Sequence, residues 1–332
     1  MNAEEDKKST PPRLIPSLVE GFNAIASNVH IIIFPVLVDL VLWFGPMLRI
    51  KELLYPAIMR AVELSAAAYG EEGQLFRESS QRLWSMYLEG FNLLSGIRTY
   101  PIGVPSLMIS QGVTSNPLGN LAIFEMNSAN AALMLILSIS LVGIALGSVY
   151  YALIASAACL DGKRPSLGLL VKQASQSTLL AFLLFLAMLV LGLPILCLFS
   201  SILLILPSLG IFPVTILGML LLWILLPLAF APHGIFTEQL NAAHSIVISV
   251  KLVRNLMSVT GLFFILVLFI SYGMDYLWST PAPNSWMMLI GIIGHAFVTS
   301  GLIAATFIFY RNGLSWLKSG SSPRPINARN NL

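Results

Sequence analysis

The stretch that decides the fold is residues 178–235, which read TLLAFLLFLAMLVLGLPILCLFSSILLILPSLGIFPVTILGMLLLWILLPLAFAPHGI and contain no Lys, Arg, Asp or Glu. About 20 apolar residues cross the hydrocarbon core of a bilayer as a helix, so this block is too long for one crossing. The run PSLGIFP at 207–213 is a turn signal near its middle. We therefore predict two spans, 177–206 and 211–235, with a kink at Pro194 in the first of them.

The composition of the whole chain agrees with a lipid environment. Of 332 residues, 57% are hydrophobic and only 10% are charged, whereas a soluble domain typically carries about 25% charged residues. The net charge of +3 is small and there is no long basic run. These features exclude a soluble fold, and we predict no nucleic-acid partner.

Four further apolar runs predict spans at about 27–48, 131–158, 259–277 and 286–310. The predicted fold class is all-α. It is a polytopic membrane protein with six transmembrane helices, an amphipathic helical segment between spans one and two, and a bundle of spans two to six at 131–310.

The distribution of Lys and Arg predicts the orientation. The short connections at 207–213 and 278–285 carry no basic residue. The opposite side carries Lys7, Lys8, Arg13, Lys163, Arg164, Lys172, Lys251, Arg254, Arg311, Lys318, Arg324 and Arg329. Because short cytoplasmic loops collect Lys and Arg, both termini are predicted to be cytoplasmic. In this scheme, 1–26 is a cytoplasmic N-terminus with an interfacial helix, and 311–332 is a cytoplasmic disordered tail.

The segment 49–130 is predicted to be an extracytoplasmic amphipathic helical segment. Apolar residues recur at helical spacing from Phe76 to Leu94, and 50–68 forms a second helix. The stretch YPIGVP at 100–105 predicts a stiff turn. The segment is either a lid over the helix ends or a docking surface for a partner or a lipid.

One connection resembles a known family. The run APHGIFTE at 231–238, followed by Ala242, Ser245 and LVRN at 252–255, is similar to a cytoplasmic elbow of certain bacterial six-span proteins. The first span, with Pro35, also resembles theirs. These are the membrane domain that accompanies some glycerophosphodiester phosphodiesterases, and its uncharacterised relatives. The resemblance implies a six-span fold in a bacterial cytoplasmic membrane, but no phosphodiesterase activity, because the sequence contains no such domain.

Two polar residues are predicted to lie at membrane depth, Asp39 in the first span and His295 in the sixth. A charged side chain at the bilayer centre costs about 2.5–3.5 kcal/mol on insertion scales, so each requires a partner. If the two pair, they form a site that accepts or passes a proton. The alternative is a structural clamp in which each bonds to other polar groups.

The connection between spans four and five holds a second set of candidates: His233, Glu238, His244, Lys251 and Arg254. Their spacing matches no metal-binding helix motif, so no metal ion and no cofactor are predicted. Glu238 is expected to help start an interfacial helix, and both histidines are expected at the membrane surface. Lys251 and Arg254 are expected near anionic lipid headgroups.

No nucleophile elbow, phosphate-binding loop or suitable pair of carboxylates is present. An intramembrane lipid-modifying enzyme is therefore the third and least favoured function. The favoured function is a non-catalytic scaffold, accessory or membrane-organising subunit, with a membrane protein as partner. The alternative is a transporter or permease for a small or lipidic solute that uses Asp39 and His295.

Overall fold

The computed structural model of the chain describes residues 11–67, 70, 73–160, 162–206 and 212–320. The helices are α1 Leu14–Ala26, α2 Ile33–Phe44, α3 Lys51–Ala66, α4 Gly73–Gly90, α5 Met108–Gln111, α6 Ala129–Cys159, α7 Leu167–Ala187, α8 Leu193–Ile205, α9 Phe212–Leu225, α10 Ala231–Thr237, α11 Ala242–Asn255, α12 Met257–Trp278 and α13 Met288–Gly320. The strands are β1 Met47–Arg49, β2 Ser115–Asn116, β3 Gly119–Asn120 and β4 Ile123–Glu125.

Five helical stretches are long and apolar enough to cross a bilayer: Ala129–Cys159, Leu167–Ile202, Phe212–Thr237, Met257–Trp278 and Met288–Ser319. A sixth crossing results if α1 and the bent helix that follows it, Val29–Phe44, count as one span. The protein is therefore an all-α, multi-pass membrane protein, as predicted.

The first span differs from its predicted bounds of 27–48. α2 ends at Phe44, where Gly45 adopts an extended conformation and Pro46 follows. The chain then forms β1, which pairs in parallel with β4. α2 has 12 residues, a length of about 18 Å, which is too short to cross the hydrocarbon core.

α1 is the other half of this bent pair. It meets the Val29–Phe44 helix at 87° and packs along α13. Gly21 lies directly against Ala305, and a methyl group on Gly301 would collide with the ring of Phe22. One face of α1 thus packs against α13 through these small residues. The position of α1 along the membrane surface stays a prediction.

The segment between the first two spans contains two different parts. α3 and α4 confirm the predicted amphipathic helices and pack on each other as a hairpin, here called the cap hairpin (Lys51–Gly90). The residues that follow, here called the inserted segment (93–111), enter the bundle instead of covering it. Ile102, Val104 and Leu107 are each 1% exposed.

Two glycines of α6 receive the inserted segment. The backbone of Ile97 lies directly against Gly143, and a methyl group on Gly147 would lie 2.8 Å from the Cα atom of Gly103. Glycine pairs at this spacing usually bring two helices together. Here they admit a non-helical backbone, and the predicted stiff turn at 100–105 becomes part of the core.

The long apolar block forms two helical stretches, as predicted. A π segment at Met188–Gly192 precedes Pro194, and the helix continues beyond it to Ile205, so the proline does not end the span. The predicted kink at Pro194 stays a prediction. The next helix begins at Phe212. The predicted turn lies largely at 207–211, outside the described residues.

α13 is the central helix of the bundle. In its most apolar window 61% of the residues are buried, compared with 11–28% in the other four spans. The prediction placed the end of this span at 310 and a disordered tail at 311–332, but the helix continues to Gly320. Residues 321–332 and the charged N-terminal residues 1–10 lie outside the described residues.

The two ends of the bundle are distinct. The cap end carries the cap hairpin and a cluster of Trp43, Phe44 and Trp286, in which the Trp43 and Trp286 rings are 6.1 Å apart. The elbow end carries the exposed basic residues Lys163 and Lys251.

Candidate functional site

Asp39 lies on α2 and is completely buried. Its carboxylate faces the inserted segment and accepts a hydrogen bond from the Ser106 hydroxyl. The backbone N–H of Leu107 donates to its Oδ2 atom at 3.1 Å, and that of Met108 donates to its Oδ1 atom at 3.0 Å. Asp39 therefore satisfies donors at the start of α5, as an N-capping side chain does within one helix.

His295 lies on α13 next to Asp39 and is 4% exposed. Its Nδ1 atom is 3.9 Å from Oδ2 of Asp39, which is too long for a hydrogen bond. No hydrogen-bond partner is present for this buried Nδ1 atom in the described part of the chain. The two residues predicted as a pair are thus neighbours, but Asp39 is bonded to the inserted segment.

The other ring nitrogen of His295 faces Asp275, which was not among the predicted site residues. Its Nε2 atom is 3.4 Å from Oδ1 of Asp275, whose side chain is 36% exposed. Asp275 lies three residues before the end of α12, among aromatic residues typical of an interface. Its position in the sequence could have indicated it. Asp275 is near the end of span five and His295 is near the start of span six, so both lie within two helical turns of the same end of the bundle.

Arg98 adds a positive charge to this cluster. It follows Ile97 in the inserted segment and is exposed, and its guanidinium lies within electrostatic range of Asp39, Asp275 and His295. Arg98 was not among the predicted site residues, because it lies in the segment 49–130 that was predicted to be extracytoplasmic. The fold brings it to the level of the buried acid, because its neighbour Ile97 packs on Gly143 of α6.

The cluster lies nearer the cap end than the predicted middle of the membrane. Asp39 is five residues from the end of α2, and His295 is seven residues from the start of α13. At 1.5 Å per residue these depths are roughly 8–11 Å. Carboxylate, imidazole and carboxylate follow one another from a buried to a half-exposed position, but at 3.4 and 3.9 Å a proton passes only if the distances shorten or a water intervenes.

The predicted elbow residues do not form one site. In contrast to the expectation of a surface position, His233 is 4% exposed. Its Nε2 atom is 2.8 Å from the Thr306 hydroxyl, and its ring lies 4.4 Å from that of Phe307. It belongs to the core between α10 and α13.

The remaining elbow candidates are exposed at the elbow end. Asn241, and not Glu238, caps α11, because its side chain accepts a hydrogen bond from the His244 N–H at 2.8 Å. Glu238 instead pairs with Lys318 at 3.4 Å. Lys251 and Arg254 lie on the exposed face of α11. Within the described ranges, no group of three or more His, Cys, Asp or Glu side chains is arranged to hold a metal ion.

No protein-family model, curated protein or solved structure matches the chain. The resemblance to the membrane domain of glycerophosphodiester phosphodiesterases therefore stays a prediction.

Proposed function

We propose that the protein is a non-catalytic scaffold or accessory subunit that organises other proteins in a bacterial cytoplasmic membrane, with both termini on the cytoplasmic side. The observation that most supports this proposal is the bonding of Asp39. Its oxygens are occupied by three donors of the inserted segment, and the side chain has no exposed surface. A buried carboxylate bonded in this way stabilises the packing of the inserted segment in the bundle and is not free to bind a solute.

The cap hairpin supports the same proposal. It packs mainly on itself and leaves large apolar side chains uncovered on α4, including Leu75, Met86 and Tyr87, which are 71%, 66% and 62% exposed. An exposed apolar face on an ordered hairpin is typical of a surface that meets a partner or a lipid. We favour a membrane protein as the partner.

The test is co-purification of the tagged full chain in a mild detergent, followed by mass spectrometry. We expect a companion protein in stoichiometric amount with the wild type and with Lys163→Gln. We expect its loss with Leu75→Gln/Met86→Gln, which leaves the fold intact. A wild-type protein without a stoichiometric companion, or a companion that the double variant retains, contradicts the proposal.

The second candidate function is transport of a small or lipidic solute, and the row Asp39, His295 and Asp275 favours it. In addition, a cavity of about 430 Å³ opens between α7 and α9, with apolar walls and Tyr100 of the inserted segment at its edge. A transporter requires a polar pathway that reaches the intramembrane ionisable groups.

Proteoliposomes separate the two functions. If the protein transports protons with a solute, a pH-sensitive dye inside the vesicles will report flux that His295→Gln and Asp275→Asn abolish and Lys163→Gln preserves. We expect no flux above that of empty vesicles. Flux that depends on His295 would contradict the scaffold proposal and support the transporter.

A further inference from the structure

A cavity of about 410 Å³ lies at the elbow end, between α11 and the last turns of α13. It is here called the elbow cavity. Its walls are formed by Ile248, Lys251, Asn255, Leu314, Trp316, Leu317 and Lys318. We propose that the elbow cavity binds the headgroup of an anionic phospholipid. This inference is independent of the scaffold function.

The shape of the cavity follows from close packing below it. Gly313 brings the two helices together, because a methyl group at this position would lie 3.0 Å from Leu252 and 3.3 Å from Leu256. Next to this contact, Ile248, Lys251 and Asn255 of α11 and residues 314–318 of α13 leave the cavity between them. The cavity therefore lies at the C-terminal end of α13, the most buried of the candidate spans.

Two lysine side chains line the elbow cavity. Lys251 forms no ion pair within the residues that the structure describes, and its position is exposed. Lys318 lies 3.4 Å from Glu238, and its side chain is 66% exposed. The ammonium groups of Lys251 and Lys318 attract an anion such as a phosphate. Arg254, which was predicted to act with Lys251, does not line the cavity.

The remaining walls favour a lipid over a soluble phosphate compound. Ile248, Leu314 and Leu317 are apolar, and Trp316 supplies an amphipathic ring of the type enriched at membrane interfaces. The phosphate of a phospholipid can contact the lysines while its acyl chain contacts the apolar residues. A free phosphate uses only the lysines.

The experiment is a titration of the purified full chain, followed by native mass spectrometry. Phosphatidylglycerol and phosphatidylcholine with the same acyl chains are compared. We expect preference for phosphatidylglycerol, and Lys251→Gln/Lys318→Gln should weaken its binding by about 25-fold, at about fivefold per lysine. The matched control is Lys163→Gln/Lys172→Gln, which removes the same charge at the same end but outside the cavity and should change binding less than twofold.

Loss of binding could also result from misfolding, so a variant that should gain binding is needed. Glu238→Gln removes the carboxylate that competes for Lys318 and should tighten phosphatidylglycerol binding about threefold to fivefold, as expected for one charge near the surface. Equal weakening by the control pair would indicate diffuse electrostatic attraction and overturn the proposal. Competition by inorganic phosphate or glycerol phosphate as strong as that by the lipid would indicate a soluble ligand and would also overturn it.

Discussion

At the scale of single residues, the carboxylate of Asp39 holds the inserted segment in the bundle. The residues it bonds lie 67 to 69 positions away in the chain. A buried donor that loses its partner costs about 1–3 kcal/mol, and here three donors share one carboxylate.

Asp39→Ala should therefore lower the free energy of unfolding by about 2–4 kcal/mol. Asp39→Asn keeps one acceptor oxygen and should cost less. Chemical unfolding in detergent micelles, followed by tryptophan fluorescence, measures both. An Asp39→Ala protein as stable as the wild type would show that the hydrogen bonds to the inserted segment do not stabilise the fold.

Gly147 provides a second prediction at this scale. Gly147→Ala places a methyl group 2.8 Å from the Cα atom of Gly103, and overpacking of this kind typically costs about 1–3 kcal/mol. The matched control is Gly218→Ala on α9, where the added methyl group meets nothing within 4 Å. The control should be neutral or stabilising by up to about 1 kcal/mol. Thermal unfolding of the two variants in one detergent compares them, and equal stabilities would contradict the close contact.

At the scale of elements, the cap hairpin depends on its own contacts. Lys51 at the start of α3 donates to Glu89 near the end of α4 at 2.6 Å. This hydrogen bond and the charge of Lys51 hold the pKa of Glu89 below its usual value of 4.5. A carboxylate with a lowered folded-state pKa stabilises the folded state above its ordinary pKa, and the stabilisation disappears as the pH falls through the folded-state value.

The cap hairpin should therefore loosen as the pH falls from 6 to 3. The fluorescence of Trp84 on α4 reports the change. Lys51→Gln should show a weaker pH dependence, because Glu89 then titrates near its ordinary value in both states. The pair is exposed, so the effect is small. A pH response of the variant identical to that of the wild type would assign the loosening to other carboxylates.

At the scale of the whole molecule, α1 and α2 together run alongside α13 from the elbow end to the cap end. Leu14 packs in the same apolar cluster as Leu314, whereas Trp43 donates to the carbonyl oxygen of Pro283 at 2.7 Å. The broken helix therefore contacts the bundle at both ends, which favours counting the bent pair as a sixth crossing over counting it as a re-entrant loop.

Cysteine labelling tests this path and the orientation. In a Cys159→Ala/Cys197→Ala background, an impermeant maleimide added outside intact cells should label Glu52→Cys. It should label Arg13→Cys and Lys163→Cys only after the cells are opened. If the broken helix were a re-entrant hairpin, Arg13→Cys and Glu52→Cys would react on the same side.

The sequence alone predicted that lipid surrounds the helices, and it predicted the fold class and most of the helix positions. Hydropathy is a local property, and a run of 20 apolar residues must be helical in lipid because its backbone groups find no other partners. The two helices of the cap hairpin followed from local periodicity in the same way.

Only the tertiary structure decided where the polar groups meet. The stretch around Tyr100 and Ser106 has the composition of an external loop, and nothing local indicates that it enters the bundle against Gly143 and Gly147. Asp275 meets His295 through a contact between distant elements, and the inserted segment brings the charge of Arg98 near them. Such contacts depend on the packing of helices in three dimensions, which the period of a single helix does not determine.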